Sequence, residues 1–246
     1  MRAADYFDAI RRLPIGALSD ITAGEPCVVL SPHPDDESLG AGGLIAAACD
    51  AGQRVEVVLI TDGGASHPNS PSYPRQRLIE LRRAELEQAA ALLGLPPDHV
   101  HRLGLPDTQA PTEGPPFDAA VNAIAAVCAR AAAKSLLVTW DGDPHCDHQA
   151  TARIAEAVCR RHPEITLWAF PIWGWHLDPA EPLHRPAPEG LRLDISAQQA
   201  RKRAAIDAHA SQMTDLIGDD PDGFRFTEQT LAPFVGRYEH YLRVPR

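Results

Sequence analysis

One pattern limits what this chain can fold into: short apolar runs of strand length recur, most followed by a longer helical pattern. Cys27–Ser31 (CVVLS), Arg54–Thr61 (RVEVVLIT), Ser135–Trp140 (SLLVTW) and Thr166–Phe170 (TLWAF) read as strands, with Val100–Leu103 a shorter candidate. Glu37–Asp50, Arg75–Leu93, Phe117–Ala133 and His148–His162 read as helices, and Gly94, Pro96 and Pro97 close the second of them. Such alternation predicts an α/β fold, a Rossmann-like three-layer sandwich with a mainly parallel sheet covered on both faces. Gly40-Ala41-Gly42-Gly43 does not complete a dinucleotide fingerprint, because Ile45 occupies the last glycine position. Its expected role is close packing of helix on strand. Leu191–Ile195 reads as a further strand and Ala197–Ala210 as a helix. Segments 172–190 and 213–246 read as irregular additions to a single domain spanning 1–246. In open α/β sheets ligands bind beyond the carboxyl ends of the strands, so the chemistry is expected there.

Charge narrows the partners. The chain carries 23 basic and 33 acidic residues, a net −10, which repels nucleic acid and anionic membranes. No apolar run approaches the roughly 18 residues of a spanning helix, and MRAADYFDAIRRL lacks the apolar core of a signal peptide. Five cysteines with no C-x-x-C pair fit a cytoplasmic protein with reduced thiols.

Two strand ends concentrate the polar chemistry. Ser31-Pro32-His33-Pro34-Asp35-Asp36-Glu37 places one imidazole and three carboxylates at the end of the first strand. Asp141-Gly142-Asp143-Pro144-His145-Cys146-Asp147-His148 places two histidines and three aspartates beyond the Ser135–Trp140 strand. Either cluster alone reads equally well as a capped turn or as metal ligands. If the two strands are neighbours, both clusters meet, and crowded carboxylates beside imidazoles call for a cation. No G-x-S-x-G elbow, H-E-x-x-H helix or Walker loop competes with this reading. Cys146 reads as incidental. Trp173, Trp175 and His176 follow another strand end and are candidates to stack on or contact a substrate. His67 and Tyr73, beyond the turn at Asp62-Gly63-Gly64, are further candidates to line the same pocket.

His33-Pro34-Asp35-Asp36-Glu37 and His145-Cys146-Asp147-His148 resemble the two motifs of the LmbE/PIG-L family of metal-dependent N-deacetylases. Weaker matches are Arg82, Glu85, Ala89, Leu93-Gly94, Leu103–Asp107 and Lys202, His209, Ser211 and Gln212, so the similarity runs from about 27 to 212. The resemblance independently implies the Rossmann-like sandwich. It also implies a hydrolase that removes the N-acetyl group from a GlcNAc-type conjugate, small or oligosaccharide, using a metal-activated water. It implies His33, Asp36 and His148 as zinc ligands, although two histidines and a carboxylate also suit Fe(II). Asp35 is then the general base. His145 stabilises the oxyanion, and Asp147 orients His145 and keeps it charged. Arg82 matches an arginine that helps bind substrate. Some members carry a tyrosine just before the second motif, where this chain has Trp140 to Pro144. Alternatives are an amidase that cleaves a larger acyl group and a catalytically silent sugar-binding protein.

Overall fold

The structure is a computed structural model describing residues 1–245. In chain order its elements are α1 (Ala3–Arg11), β1 (Ile15–Gly16), α2 (Leu18–Thr22), β2 (Cys27–Ser31), α3 (Asp36–Asp50), β3 (Val55–Thr61) and α4 (Arg75–Leu93). Then come β4 (Val100–Leu105), α5 (Gly114–Ala131), β5 (Ser135–Thr139), α6 (Cys146–Arg161) and β6 (Thr166–Phe170). The chain finishes with β7 (Gly190–Asp194), α7 (Gln199–Ala208), α8 (Ala210–Met213), α9 (Glu228–Leu231) and β8 (Tyr238–Arg243). The eight strands form one sheet in the order β1-β7-β8-β6-β5-β2-β3-β4. Only β8 runs antiparallel to its neighbours, β6 and β7.

The pleat divides the strand side chains between two cores. Cys27 and Val29 of β2 join Leu44 of α3, Leu86 of α4 and Ile206 of α7 on one face. Val28 and Leu30 join Ile10 of α1, Ile124 of α5 and Ile154 of α6 on the other. Continuous apolar runs are therefore needed in the central strands, since neither face meets water. This is the three-layer sandwich expected from the alternation, and no helix among the described residues is long and apolar enough to cross a membrane.

The segment 213–246, expected to be an irregular addition, instead supplies β8, which sits inside the sheet between β6 and β7. Its sequence, YEHYLR, conceals this because an acidic side chain points inward. Glu239 is buried, and its carboxylate accepts from Gly43 N (2.6 Å), Leu44 N (2.8 Å), Lys202 Nζ (2.7 Å) and Tyr241 OH (2.6 Å). A buried carboxylate so fully paired is tolerated where an unpaired one would not be. Segment 172–190 contains a 3₁₀ turn at Trp173–His176, an isolated bridge from Pro182 to Arg2 and, at Gly190, the start of β7.

The glycines of α3 do pack the helix tightly on the sheet. A Cβ at Gly40 would lie 2.1 Å from Phe170 Cδ2, and one at Gly43 would lie 2.5 Å from Ile195 Cγ2. Gly40→Ala is therefore expected to destabilise the fold by about 1–3 kcal/mol, despite alanine's better helix propensity. A urea midpoint equal to or above that of the parent would mean that Phe170 moves aside at no cost.

The topology decides the site. β2 and β5 are neighbours and parallel, with Val29 opposite Leu137. Their carboxyl ends therefore present the two polar clusters to each other.

Candidate metal centre and catalytic cleft

Between β2 and α3 the chain turns sharply through Pro32 and Pro34. Asp35 caps α3 with φ 136° and ψ −30°, a conformation that costs a non-glycine residue of order 1–3 kcal/mol. Its surroundings hold it there. Asp35 N donates to Glu37 Oε2 (3.1 Å), and Asp35 O accepts from Ser38 N (3.0 Å) and Leu39 N (2.9 Å). Arg82 Nη2 donates to Asp35 Oδ2 (3.1 Å) and Pro34 O (2.8 Å), while Nη1 donates to Gly63 O (2.8 Å). Glu37 is itself fixed by Ser31 Oγ (3.0 Å), Ser38 Oγ (2.7 Å) and His209 Nε2 (3.2 Å).

Three potential ligand atoms converge next to Asp35. His33 Nδ1 lies 3.3 Å from Asp36 Oδ2, His148 Nε2 lies 3.2 Å from the same oxygen, and the two nitrogens are 3.3 Å apart. A tetrahedral zinc with bonds of about 2.0–2.1 Å has ligand–ligand edges of about 3.3 Å, so this triangle has the size of one face of such a site. The remaining ring nitrogens face carboxylates. His148 Nδ1 donates to Asp143 Oδ2 (2.9 Å), and His33 Nε2 donates to Asp147 Oδ2 (3.0 Å), with Asp107 Oδ1 at 3.3 Å. Those bonds direct the lone pairs of His33 Nδ1 and His148 Nε2 toward Asp36. Two lone pairs and a carboxylate pointing at one another require a positive charge between them, so the residues fit a divalent metal.

The acid–base groups respond to this crowding. Burial opposes a charge on His33, yet its bonds to Asp107, Asp147 and Asp36 outweigh that and raise its pKa. Burial likewise opposes the charge on His148, but Asp36 and Asp143 raise it to about 9. Asp36 is held well below the carboxylate range because His148 and His33 outweigh the cost of burying it. Asp35 moves the opposite way: burial pushes it up to about 7 against the pull of Arg82.

A second combination, His33, Asp107, His145 and Asp147, also brings its donor atoms within 4.8 Å of one another. It fits a metal less well. Asp147 already accepts from Thr108 N (2.7 Å) and Ala110 N (2.9 Å), and Asp107 from Ala65 N (2.8 Å). His145 also approaches the first set, since its ring, with those of His33 and His148, can place nitrogens within 4.8 Å.

Several sequence-based expectations change. Asp147 does not orient His145 through its carboxylate, which holds His33 instead. Only the Asp147 backbone N–H reaches His145, donating to Nδ1 at 3.2 Å. Burial, with His33 and His148 beside it, pushes the His145 pKa down to about 4. Its proton then sits on Nε2. Arg82 borders the cleft; its terminal nitrogens donate to the Pro34, Gly63 and Asp35 oxygens and so position Asp35, while its buried Nε has no partner among the described residues. Trp173 lines the cleft. Trp175 does not; it packs on Phe7 and His240, with ring centroids 5.0 and 5.1 Å away. His176 is exposed and does not line the cleft, its ring lying 6.0 Å from Trp173 and 6.4 Å from Phe234. His67 is buried against Gly223, and Tyr73 stacks under Arg77 (4.3 Å). Cys146 makes only long contacts, to Thr108 O (3.7 Å) and Asp147 (3.9 Å). Trp140, in the stretch where some relatives have tyrosine, is buried on the far face and stacked on Tyr6 at 5.5 Å.

Asp107, at the end of β4, and Asp143 were not assigned roles from sequence. Both are buried carboxylates beside an imidazole, Asp107 at His33 (3.3 Å) and Asp143 at His148 (2.9 Å), and Asp143 also accepts from Ile172 N (3.0 Å) and Gly174 N (2.7 Å). Their placement beyond strand ends was the available signal.

Known proteins resemble this chain in sequence and in fold. A probable N-acetyl-alpha-D-glucosaminyl L-malate deacetylase 2 of Bacillus anthracis is 26% identical over 215 residues, covering 83% of this chain and 90% of that protein. A 1D-myo-inositol 2-acetamido-2-deoxy-alpha-D-glucopyranoside deacetylase of Mycolicibacterium smegmatis is 27% identical over 259 residues, covering 86% and 87%. The fold matches N,N'-diacetylchitobiose deacetylase from Pyrococcus horikoshii with a TM-score of 0.68 at 20% identity, over 90% of this chain and 84% of that one. The family model described as PIG-L, GlcNAc-PI de-N-acetylase, matches residues 28–159, more than half of the chain and inclusive of both motifs, so this chain belongs to the PIG-L family.

Proposed function

We propose that this protein is a metal-dependent N-deacetylase acting on an N-acetylglucosamine-type conjugate. The observation that carries the reading is the zinc-sized triangle of His33, Asp36 and His148 donors, flanked by a strained, buried Asp35 at the base of a cleft. Both curated relatives above are named as deacetylases of N-acetylglucosamine conjugates, which supports the sugar. Zinc is the proposed ion, because nitrogen and carboxylate donors in a tetrahedral face suit it.

When bound, the metal supplies Lewis acidity that acidifies the attacking water and polarises the acetamide carbonyl. The chain's own residues do the rest. Asp35 takes the proton from the water, and its raised pKa lets it return that proton to the departing nitrogen. A C–O bond forms, the C–N bond breaks, and acetate and a free amine leave. Arg82 keeps Asp35 aimed while leaving its second oxygen free of that contact. His145 lines the cleft and donates from Nε2 to the developing oxyanion, a contribution of about 3–4 kcal/mol in comparable sites. Asp147 and Asp107 act through His33, and Asp143 through His148, by fixing ring orientation and tautomer.

The test is direct. Zinc-loaded protein is incubated with N-acetylglucosamine conjugates, and acetate and primary amine are both quantified, with a chelated sample alongside. Equal release of the two products, lost on chelation and restored by zinc, is expected. Absence of release from metal-replete protein across the series would overturn the assignment, and release of a longer acid would redefine the acyl group.

A further inference from the structure

The outer wall of the cleft has a charge that the deacetylase chemistry does not use. Two loops build this wall, residues 65–73 and 218–226. Asp219 Oδ1 accepts from Ser70 Oγ (2.6 Å) and its Oδ2 from Ser72 N (2.9 Å), while Asp220 accepts from Asn69 N (2.7 Å) and Asp222 N (3.0 Å). Those two aspartates are spent on holding the loops together. Asp222 is not: it is exposed, borders the cleft, and its carboxylate accepts from the Asn69 side-chain amide (3.2 Å), with no ion pair among the described residues. Beside it, Trp173 and Phe224 form an apolar border to the cleft. Trp173 is backed by Phe226, nearly parallel at 7° with centroids 5.5 Å apart, and Phe224 meets Trp173 edge-on at 5.3 Å.

Among the described residues no lysine or arginine pairs with this carboxylate. Among the described residues lining the cleft, Arg82 is the single lysine or arginine, and its guanidinium is turned inward to Asp35 and two carbonyls. Nearby, Arg75 is paired with Asp62 (2.6 Å) and Arg225 with Asp215. His67, behind the wall, is pushed toward its neutral form by burial. The chain as a whole carries −10. An anionic group leaving the cleft along this wall would therefore meet a carboxylate with no compensating donor, whereas an uncharged group could lie on the aromatic border.

Resting on the deacetylase reading, we infer that the cleft selects N-acetylglucosaminides whose aglycone is uncharged and turns away those with an anionic aglycone, Asp222 being the discriminating residue. The substrate class is thus a neutral glycoside with an apolar or polyol aglycone, not a carboxylate- or phosphate-bearing one.

The zinc-loaded protein is assayed with three N-acetylglucosaminides of similar size, bearing a hydroxyethyl, an aminoethyl or a carboxymethyl aglycone. The hydroxyethyl and aminoethyl compounds are expected to exceed the carboxymethyl compound in kcat/KM by roughly three- to tenfold, mainly through KM. The gap is expected to narrow in about 0.5 M salt, where the screening length falls to roughly 4 Å. Asp222→Asn should close most of the gap and Asp222→Lys should reverse it. Because Asp222 is exposed, both variants are expected to fold, which circular dichroism checks. Equal kcat/KM for neutral and anionic compounds, or a preference that survives Asp222→Lys, overturns this inference and leaves the deacetylase assignment standing. Turnover of none of the three by metal-replete protein overturns the assignment itself, and the inference with it.

Discussion

Replacing Asp35 with alanine is expected to lower kcat by about 10²- to 10⁴-fold, the usual contribution of a positioned general base. That range corresponds to about 3–5 kcal/mol of barrier. Zinc content should stay near that of the parent, because the triangle of His33 Nδ1, Asp36 Oδ2 and His148 Nε2 includes no atom of Asp35. The alanine variant carries a structural cost of its own, since Arg82 is buried and Asp35 is its carboxylate partner. Leaving that guanidinium without its carboxylate destabilises by several kcal/mol in comparable buried pairs. Asp35→Asn keeps the shape and a hydrogen-bond acceptor, so it separates loss of the base from loss of the fold. Both variants are read by kcat, KM, bound zinc and melting temperature. A rate near that of the parent in folded Asp35→Asn would remove Asp35 as the base. Loss of zinc together with activity would place it among the ligands.

His148→Ala is expected to show the other failure: the protein loses its metal. Removing a carboxylate that merely supports a ligand histidine costs about 10–100-fold in affinity, so deleting the histidine itself should cost more. Activity should fall with occupancy and recover only in part when zinc is raised. The fold should survive in weakened form. Asp143 keeps its bonds from Ile172 N and Gly174 N, and Asp36 keeps its bond from His33 N (2.9 Å). Zinc titration monitored by calorimetry, with circular dichroism as the control for folding, gives the answer. Full affinity in the variant would shift the assignment to the alternative set of His33, Asp107, His145 and Asp147, and Asp107→Ala would then become the decisive variant.

The contrast between these variants follows from one local feature. Asp35 and Asp36 are adjacent in sequence yet opposite in character. Asp36 enters α3 facing two imidazoles and is held as a carboxylate. Asp35, one residue earlier, has the strained φ that turns it toward Arg82, where burial raises its pKa to about 7. The same acid type therefore meets imidazoles or a guanidinium according to the direction its backbone imposes, which is what the two variants are chosen to separate.

Much of this was legible in the chain alone, because the signals involved are local. Continuous apolar runs as short as Cys27–Ser31 and Ser135–Thr139 suit strands covered on both faces, and the helical stretches between them suit parallel crossovers. That arrangement sends His33-Pro34-Asp35-Asp36-Glu37 and His145-Cys146-Asp147-His148 to the same sheet edge before any side chain is placed. The glycines of α3 likewise announced a close approach to the sheet.

Contacts between distant residues were another matter. Asp147 is two residues from His145 in sequence, yet its carboxylate lies on His33, 114 residues away. Arg82 lies 47 residues from Asp35 in sequence, and only the fold brings its guanidinium to Asp35, Pro34 and Gly63. Trp173 and Trp175 occupy one irregular segment, but the 3₁₀ turn sends one ring to the cleft and the other to α1. Strand β8 carried no apolar run, since Glu239 is buried only because Lys202 and the backbone of α3 reach it. The sequence by itself determined the layers, the sheet edge where the chemistry gathers and the residue types gathered there, because periodicity and spacing act within a single element. Which carboxylate holds which imidazole, which aspartate faces Arg82, and which aromatic borders the cleft were decided by tertiary packing, because each depends on side chains that only the closed sheet and its flanking loops bring together.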